Sequence, residues 1–370
     1  MPLMRTLVVN PGSSSLKLSV LHGEQTVAAT LVERWEGAGH LEPLVEFLDG
    51  VGAVEAIGHR VVHGGPRFTA ATRIDADVVA YLDSITDLAP LHNPRSVAAI
   101  EATDELLPGV PAVASFDTSF HAGLPAAAAT YALPREWNQR FGLRRYGFHG
   151  LSHAHAVRRA AQLVGRPLEQ VRVVSAHLGA GASLCAVREG RSVDTTMGFT
   201  PLEGLVMRTR SGSVDPGLLT WLLMHGGLDV KTLNAALEFE SGLKGLSGTS
   251  GDLRDVLTAR ASGQPDAVLA FDVFIHRLVC EVGAMAVAAG GLDLLVFTGG
   301  MGEHSPDLRA AAADRLGFLG VALEPTLNAA PSGDADISAV GAVARTVVIA
   351  ANEEAEIARQ TREVLGAEPT

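Results

Sequence analysis

The chain has 370 residues, enough for two domains or one large one, and its 47% hydrophobic and 19% charged content suits a folded chain with a substantial core. A formal net charge of −12, from 29 basic and 41 acidic side chains, argues against a general nucleic-acid or anionic-membrane surface, but leaves room for a small anionic substrate held by a few local arginines. Two cysteines, Cys185 and Cys280, are too few for a disulfide framework and fit a reducing, cytoplasmic compartment; the short apolar run of MPLMRTLVVN predicts no signal peptide, and Gly290, Gly291 and Asp293 break the most apolar later stretch, so no membrane span is expected.

In chain order, the first predicted element is a hairpin. VVNPGSSSLKLSV (8–20) sets two apolar runs around a turn of Asn, Pro, Gly and serines, with Lys17 behind it. A turn needs Gly, Pro or Asn for its backbone angles, but it does not need three hydroxyls in a row. AVEAIGHRVVHGG (53–65) reads as a helix end followed by a strand, and PAVASFD (111–117) as a β-rich run ending in Asp117. SHAHAVRRAAQLVG predicts a helix opening on Ser152 as cap and closing on Gly165. VRVVSAHLGAGASLCAV (171–187) is again strand, small-residue turn, strand; LDLLVFTGGMGEHS (292–305) runs from a buried strand into a glycine turn and a helix. The last strand and helix come from TVVIAANEEAEIARQTREVLG, with Asn352 as cap, Ile357, Val364 and Leu365 on one face, and Gly366 as stop. The hairpins near 8–20 and 171–187 share a pattern, by chance or by duplication. The third glycine turn favours duplication: two α/β domains of similar plan with a cleft between them.

Three such turns present backbone N–H groups, and hydroxyls add donors, so each is a candidate phosphate cradle. Taken singly, each is better explained by an ordinary hairpin; together they favour a nucleotide. None has the GxxxxGK[ST] pattern, no GxSxG elbow or GxGxxG after the first strand is present, and no Cys/His spacing suits zinc. Phosphoryl transfer remains. Arg60 in GHRVVHGG and Arg210 in MRTRSGSVDP sit in glycine-flanked, otherwise apolar sequence, where arginine serves either bidentate contact with an oxyanion or a buried ion pair. His149, between an aromatic and a glycine, suits a cleft wall, while a lone histidine such as His92 in APLHNP is more often a core group than a catalyst. Asp117 ends a strand at the edge where α/β sheets carry their sites. Glu353, in the first turn of the last helix, is either a helix-dipole carboxylate or a magnesium ligand.

These motifs, NPGSSSLK, GHRVVHGG, APLHNP, FDTSFH, YGFHG, HLGAGAS, MGFTPLEGL, TRSGSVDP, FTGGMGEHS and NEE, resemble in order those of the acetate and butyrate kinase family, within the sugar kinase/Hsp70/actin superfamily. The resemblance implies two duplicated actin-like ATPase domains with a ribonuclease H-like βββαβαβα core, at 1–150 (completed by a C-terminal helix, 354–370) and 151–353, and a homodimer. It implies the reaction ATP + acetate ⇌ ADP + acetyl phosphate with Mg²⁺ or Mn²⁺, and small-molecule partners only. By the same resemblance Asn10 and Glu353 serve the metal, with Ser13, Ser15 and Lys17 on the hairpin toward phosphate. Arg60 and Arg210 hold the carboxylate and the transferred group, His149 stabilises the transition state, and Asp117 is the essential acid. Val62, Leu91, Phe148 and Pro201 surround the substrate methyl, with His92 in support. His177, Gly179, Ala180, Gly181, Asp252, Leu253, Arg254, Gly300, Met301, Gly302 and His304 are expected on the nucleotide side.

Three positions depart from the family pattern. Ala180 stands where an asparagine is common, Leu253 where a phenylalanine adjoins the adenine, and His304 where GEN is usual. They bear on nucleotide affinity and on the preference for ATP. The alternatives to an acetate-specific enzyme are propionate or butyrate as acceptor, or a nucleotide-gated actin/Hsp70-like ATPase without an acid substrate.

Overall fold

The computed structural model describes residues 4–12, 15–35 and 41–366. Ser13 of the first turn lies outside them. The chain divides into two compact units: Met1–Ala122, His149–His155 and Asn352–Thr370 form the first, and Gly123–Phe148 with Ala156–Ala351 the second.

The first unit is built on a six-stranded sheet. Its strands are β1 (Arg5–Pro11), β2 (Ser15–His22), β3 (Gln25–Glu33), β4 (Ala56–Val61), β5 (Thr72–Arg73) and β6 (Ala112–Phe116), in the order β3-β2-β1-β4-β6-β5. β1, β2 and β3 form an antiparallel meander, and β1, β4 and β6 run parallel. β1 carries Leu7, Val8 and Val9 in succession because both of its faces are covered. Leu7 and Val9 join Leu18, Trp35, Leu44 and Ile57 on one side, while Val8 on the other meets Leu151, Ala355 and Ile357. The C-terminal helix Glu353–Gly366 supplies that second cover. It lies so close that a Cβ on Gly58 would fall 2.6 Å from both Ile357 Cγ2 and Thr361 Oγ1, which is why β4 carries a glycine there.

The second unit repeats the plan with β7 (Val173–Leu178), β8 (Ala182–Arg188), β9 (Arg191–Thr195), β10 (Leu294–Thr298), β11 (Ala335–Asp336) and β12 (Arg345–Val348). Their order is β11-β12-β10-β7-β8-β9. β7, β8 and β9 are the antiparallel meander, β7, β10 and β12 are parallel, and β11 is antiparallel to β12 as β5 is to β6. Strand for strand the two sheets have one topology, so the two similar hairpins read from the sequence are equivalent elements of a duplicated core. The helix Pro265–Ala289 buries Phe271, Phe274, Leu278 and Val282 and packs across β7, β8 and β9.

Three local expectations change. The helix expected to end within 53–65 ends at Val51, followed by Gly52 at a positive φ of 73°, and the stretch before β4 is irregular. The helix expected to open on Ser152 spans Gly150–Leu163 instead: His153 N already bonds His149 O at 2.9 Å, so the backbone enters the helix earlier and Ser152 is buried inside it. The segment 123–148, expected with the first domain, belongs to the second unit. There Arg145 donates to the carbonyls of Thr196 and Met197, and Tyr146 and Gly147 amides bond Gly198 O. At the chain's end Asn352 Oδ1 accepts from Ala355 N at 3.0 Å, the cap expected for the last helix.

Candidate active site

The parallel strands β1, β4 and β6 deliver three of the expected residues to one edge of the first sheet. Parallel register sets Val9 beside His59, and Arg60 beside Ser115. Asn10, Arg60 and Asp117 therefore follow one another across neighbouring carboxyl-terminal strand ends, the usual place for a site in such sheets. Arg60 grips Asp117 with both arms, Nε to Oδ1 at 3.0 Å and Nη2 to Oδ2 at 2.7 Å, and Nη1 donates to Asn10 Oδ1 at 3.1 Å. Burial works against the guanidinium charge, but Asp117 and Glu353 outweigh it and raise the Arg60 pKa. Of its five N–H donors, Asp117 and Asn10 take three among the described residues.

The start of the C-terminal helix closes this edge. Asn10 Nδ2 donates to Glu353 Oε2 at 3.3 Å and to Glu354 Oε1 at 3.2 Å, and Glu353 Oε2 lies 3.6 Å from Arg60 Nε. Lys17, opposite Asn10 in the hairpin, forms an ion pair with Glu354 at 2.8 Å. Sequence reasoning missed Glu354. The only signal was the doublet of carboxylates, and the helix's rotation decides that both members face the strand ends. Two cations (Arg60, Lys17) thus meet three carboxylates (Asp117, Glu353, Glu354). Hard oxygen donors in slight anionic excess suit a magnesium-type ion that also carries phosphate oxygens. Among the described residues, no cluster of three or more His, Cys, Asp or Glu has the arrangement of an all-protein metal cage.

His149 adopts φ 56°, in the left-handed region that side chains other than glycine seldom occupy. The next residue explains how it is held. Gly150 N donates to Asp117 O at 2.8 Å, and a Cβ on Gly150 would lie 2.2 Å from that oxygen. His149 is thereby fixed beside the strand end that carries Asp117. In the same unit, Val62 is buried, Leu91 is exposed, and His92 precedes the helix Asn93–Leu106.

In the second unit a cavity of about 470 Å³ is lined by Gly179, Ala180, Asp252, Leu253, Arg254, Gly300, Met301 and His304. Most of the expected nucleotide set is therefore in one place. The turn between β7 and β8 closes with Gly179 N on Gly181 O at 3.0 Å, and Ala180 O accepts from Arg208 N at 3.2 Å. Gly299 (φ 77°) lets the following helix, Gly299–His304, approach Leu178 O to a distance no Cβ tolerates. Asp252 caps the helix Leu253–Ala261 and chelates Arg254, whose hydrogen bonds hold its pKa down at about 2. His177, Gly181 and Gly302 do not line this cavity, and Lys17 belongs to the first unit. Arg208, Leu257, Ser305 and Asp307 line it without having been expected.

Arg210 also sits in the second unit, where Nε donates to Glu238 Oε2 at 2.9 Å and Nη1 reaches toward Pro201 O at 3.5 Å. Gly212 (φ 69°) makes the turn behind it, since a Cβ there would lie 2.3 Å from Leu205 O. Both arginines therefore occupy ion pairs, half-buried and oriented. A family model described as the acetokinase family matches residues 41–359.

The chain belongs to the acetokinase family. It is 46% identical to an acetate kinase of Synechococcus sp., covering 99% of this chain and 100% of that protein, and 47% identical to one of Deinococcus deserti, covering 99% of each. Among solved structures, Porphyromonas gingivalis acetate kinase superposes with a TM-score of 0.91 at 34% identity, covering 98% of this chain and 100% of that one. A propionate kinase from Francisella tularensis gives 0.90 at 34% identity with the same coverage. The two equivalent sheets are thus the duplicated actin-like domains of an acetokinase. Among the described residues, no helix is long and apolar enough to cross a membrane.

Proposed function

We propose that this acetokinase catalyses reversible, divalent-metal-dependent phosphoryl transfer between ATP and acetate, giving acetyl phosphate and ADP. One observation carries the reading at the level of chemistry: the bidentate Arg60–Asp117 pair beside Asn10 and Glu353 on a strand-end edge. Acetate is already ionised near neutrality and needs no general base. It needs a cation that orients it and donors for the charge that spreads over the transferred group.

Arg60 suits the first task. Asp117 locks its plane, so the N–H groups left on Nη1 and Nη2 would meet an oxyanion in fixed geometry. Arg210, oriented through Nε by Glu238, and His149, fixed by Gly150, supply further donors to the planar phosphoryl group. Asn10 and Glu353 would hold Mg²⁺ or Mn²⁺, which when bound offsets phosphate charge. The cavity of about 470 Å³ is the proposed seat of the nucleotide. Transfer is direct and in-line, with no protein nucleophile.

Propionate as acceptor is a second reading, favoured by the likeness to the Francisella tularensis propionate kinase. The test is hydroxamate formation from ATP and hydroxylamine with acetate, propionate or butyrate. Acid-dependent product with acetate foremost supports the proposal. Product foremost with propionate transfers it to the longer acid, and ATP hydrolysis without any hydroxamate would sink both.

We also propose a homodimer in the cytoplasm. The helix Pro216–His225 buries none of its residues and exposes Leu218, Trp221 and Met224, an apolar face that a second copy would cover. Neither Cys185 nor Cys280 is part of a disulfide, as suits a reducing compartment.

A further inference from the structure

The MGFTPLEGL segment contains a strut that the proposed chemistry does not use. Tyr131 Oη accepts from Phe199 N at 2.8 Å and donates to Glu203 Oε2 at 2.7 Å. Glu203 Oε1 accepts from Arg145 Nη2 at 2.7 Å, and Arg145 Nη1 reaches the carbonyls of Thr196 (3.2 Å) and Met197 (3.1 Å). Gly198 O in turn receives the amides of Tyr146 at 3.1 Å and Gly147 at 3.2 Å. The carboxylate therefore ties three stretches together: Tyr131, the 145–147 segment and the 196–203 loop. A Cβ on Gly198 would fall 1.8 Å from Glu203 Oε2 and 2.2 Å from Tyr131 Oη, so the glycine leaves room for the strut itself. Burial, and then the hydrogen bond to Glu203, raise the Tyr131 pKa, and its hydroxyl stays a proton donor at working pH.

The two segments so clamped end in Phe148 and carry Pro201. We propose that Tyr131 and Glu203 are positioning residues that set acid-size selectivity, by holding the Phe148 segment and the Pro201 loop in one fixed relation. The proposal rests on the reading of Phe148 and Pro201 as residues that touch the acid's alkyl end. A methylene in an apolar pocket changes specificity about 10–200-fold only when the walls cannot yield. Walls made of loop backbone yield unless something pins them. Here the pin is a half-buried carboxylate with a donor on each oxygen, stiffer than the apolar contacts of the loop itself.

Tyr131→Phe removes one hydroxyl and strands the Phe199 amide, and Glu203→Gln keeps the shape but weakens the Arg145 bond. Both are assayed with acetate, propionate and butyrate at saturating ATP, alongside Phe148→Ala. Tyr131→Phe is expected to shrink the kcat/KM preference between acetate and butyrate about 5–10-fold, no more than the low end of the range a methylene commands, with the KM for ATP unchanged. Glu203→Gln should shift it in the same direction by less, and it serves alone if Tyr131→Phe does not fold. An equal fall in turnover for all three acids, with the preference intact in both variants, overturns the proposal and makes the strut merely structural. Phe148→Ala separates the two ideas. If it alters the preference while the strut variants do not, only the positioning role falls; if it leaves the preference unchanged, the reading of the alkyl contact falls and the proposal with it.

Discussion

The Gly150 amide donates to the Asp117 carbonyl oxygen at 2.8 Å, and this bond turns His149 into a left-handed conformation at φ 56°. A residue other than glycine in that region stores about 1–3 kcal/mol of strain, tolerated where the surroundings over-determine it. The surroundings here are the end of β6 and the first turn of the Gly150–Leu163 helix.

Gly150→Ala therefore reports on His149 without touching it. Its Cβ would stand 2.2 Å from Asp117 O, so the bond must break and the histidine must move. Turnover should fall about 10²-fold, comparable to losing one transition-state donor. His149→Ala should likewise lower turnover more than it raises the acetate KM. Steady-state kinetics of both variants check this. A Gly150→Ala enzyme with wild-type turnover would detach His149 from the chemistry, and a His149→Ala enzyme that only binds acetate weakly would make it a binding residue.

Arg60 and Arg210 should differ in what their loss does to the fold. Replacing either with alanine should cost about 10²–10³ in rate. Asp117, however, is almost fully buried and held by Arg60, whereas Glu238 is only half-buried beside Arg210. Arg60→Ala strands a buried carboxylate, a loss of about 3–5 kcal/mol of stability when one partner of a buried pair is removed. Arg210→Ala should lose much less. Denaturant midpoints measured beside kcat separate the effects, and equal stability loss in the two variants would contradict the difference in burial.

Much of this was legible beforehand because it is local chemistry. Turn residues between alternating apolar runs mark both hairpins, and Asp117 and Arg60 stand at strand ends where an α/β sheet gathers its site. What was not legible depends on contacts far apart in sequence. Nothing in NEE tells which way the helix is rotated, so the bonds from Glu354 to Lys17 and Asn10 appear only once the helix lies on β1 and β4. The start of the helix at Gly150 is decided by Asp117, more than thirty residues earlier, and not by the hydroxyl of Ser152. Arg145 draws 123–148 to the second unit through partners about fifty residues downstream.

His59 carries a pH dependence. It is buried beneath the helix Asn93–Leu106 with Nε2 3.1 Å from Thr103 Oγ1, and burial lowers its pKa to about 3. Below its ordinary pKa of about 6.5 the unfolded chain takes a proton that the folded one refuses. Stability is thus fully present above pH 6.5 and is lost as pH falls toward 3, by about 2 kcal/mol at pH 5. His63, lowered to about 4 by burial, adds a loss of the same sign. His59→Gln should therefore lose about 2 kcal/mol less than wild type between pH 7 and pH 5. Urea midpoints at the two pH values measure it, and parallel losses in both proteins would show that His59 is protonated in the folded state.

Ala180 and Leu253 set the last expectation, on the nucleotide. Both line the cavity of the second unit, and Ala180 is exposed at the tip of a turn closed by Gly179 N on Gly181 O. An asparagine there would add an amide donor without disturbing the backbone bond from Arg208 N to Ala180 O. One good hydrogen bond contributes about 0.5–1.5 kcal/mol net, so Ala180→Asn should tighten nucleotide binding several-fold and not by orders of magnitude. Leu253 is buried on the cavity wall and offers an aliphatic surface where a ring would stack. Such a surface packs against any purine about equally well, so GTP and ITP should support a sizeable share of the ATP rate. Steady-state kinetics of wild type and Ala180→Asn with ATP, GTP and ITP test both points. Strict dependence on ATP would mean that groups other than Leu253, such as the Asp252–Arg254 pair at the helix start, read the base edge. An unchanged nucleotide KM in Ala180→Asn would mean that Arg208 or the Gly299–His304 helix already satisfies the phosphates.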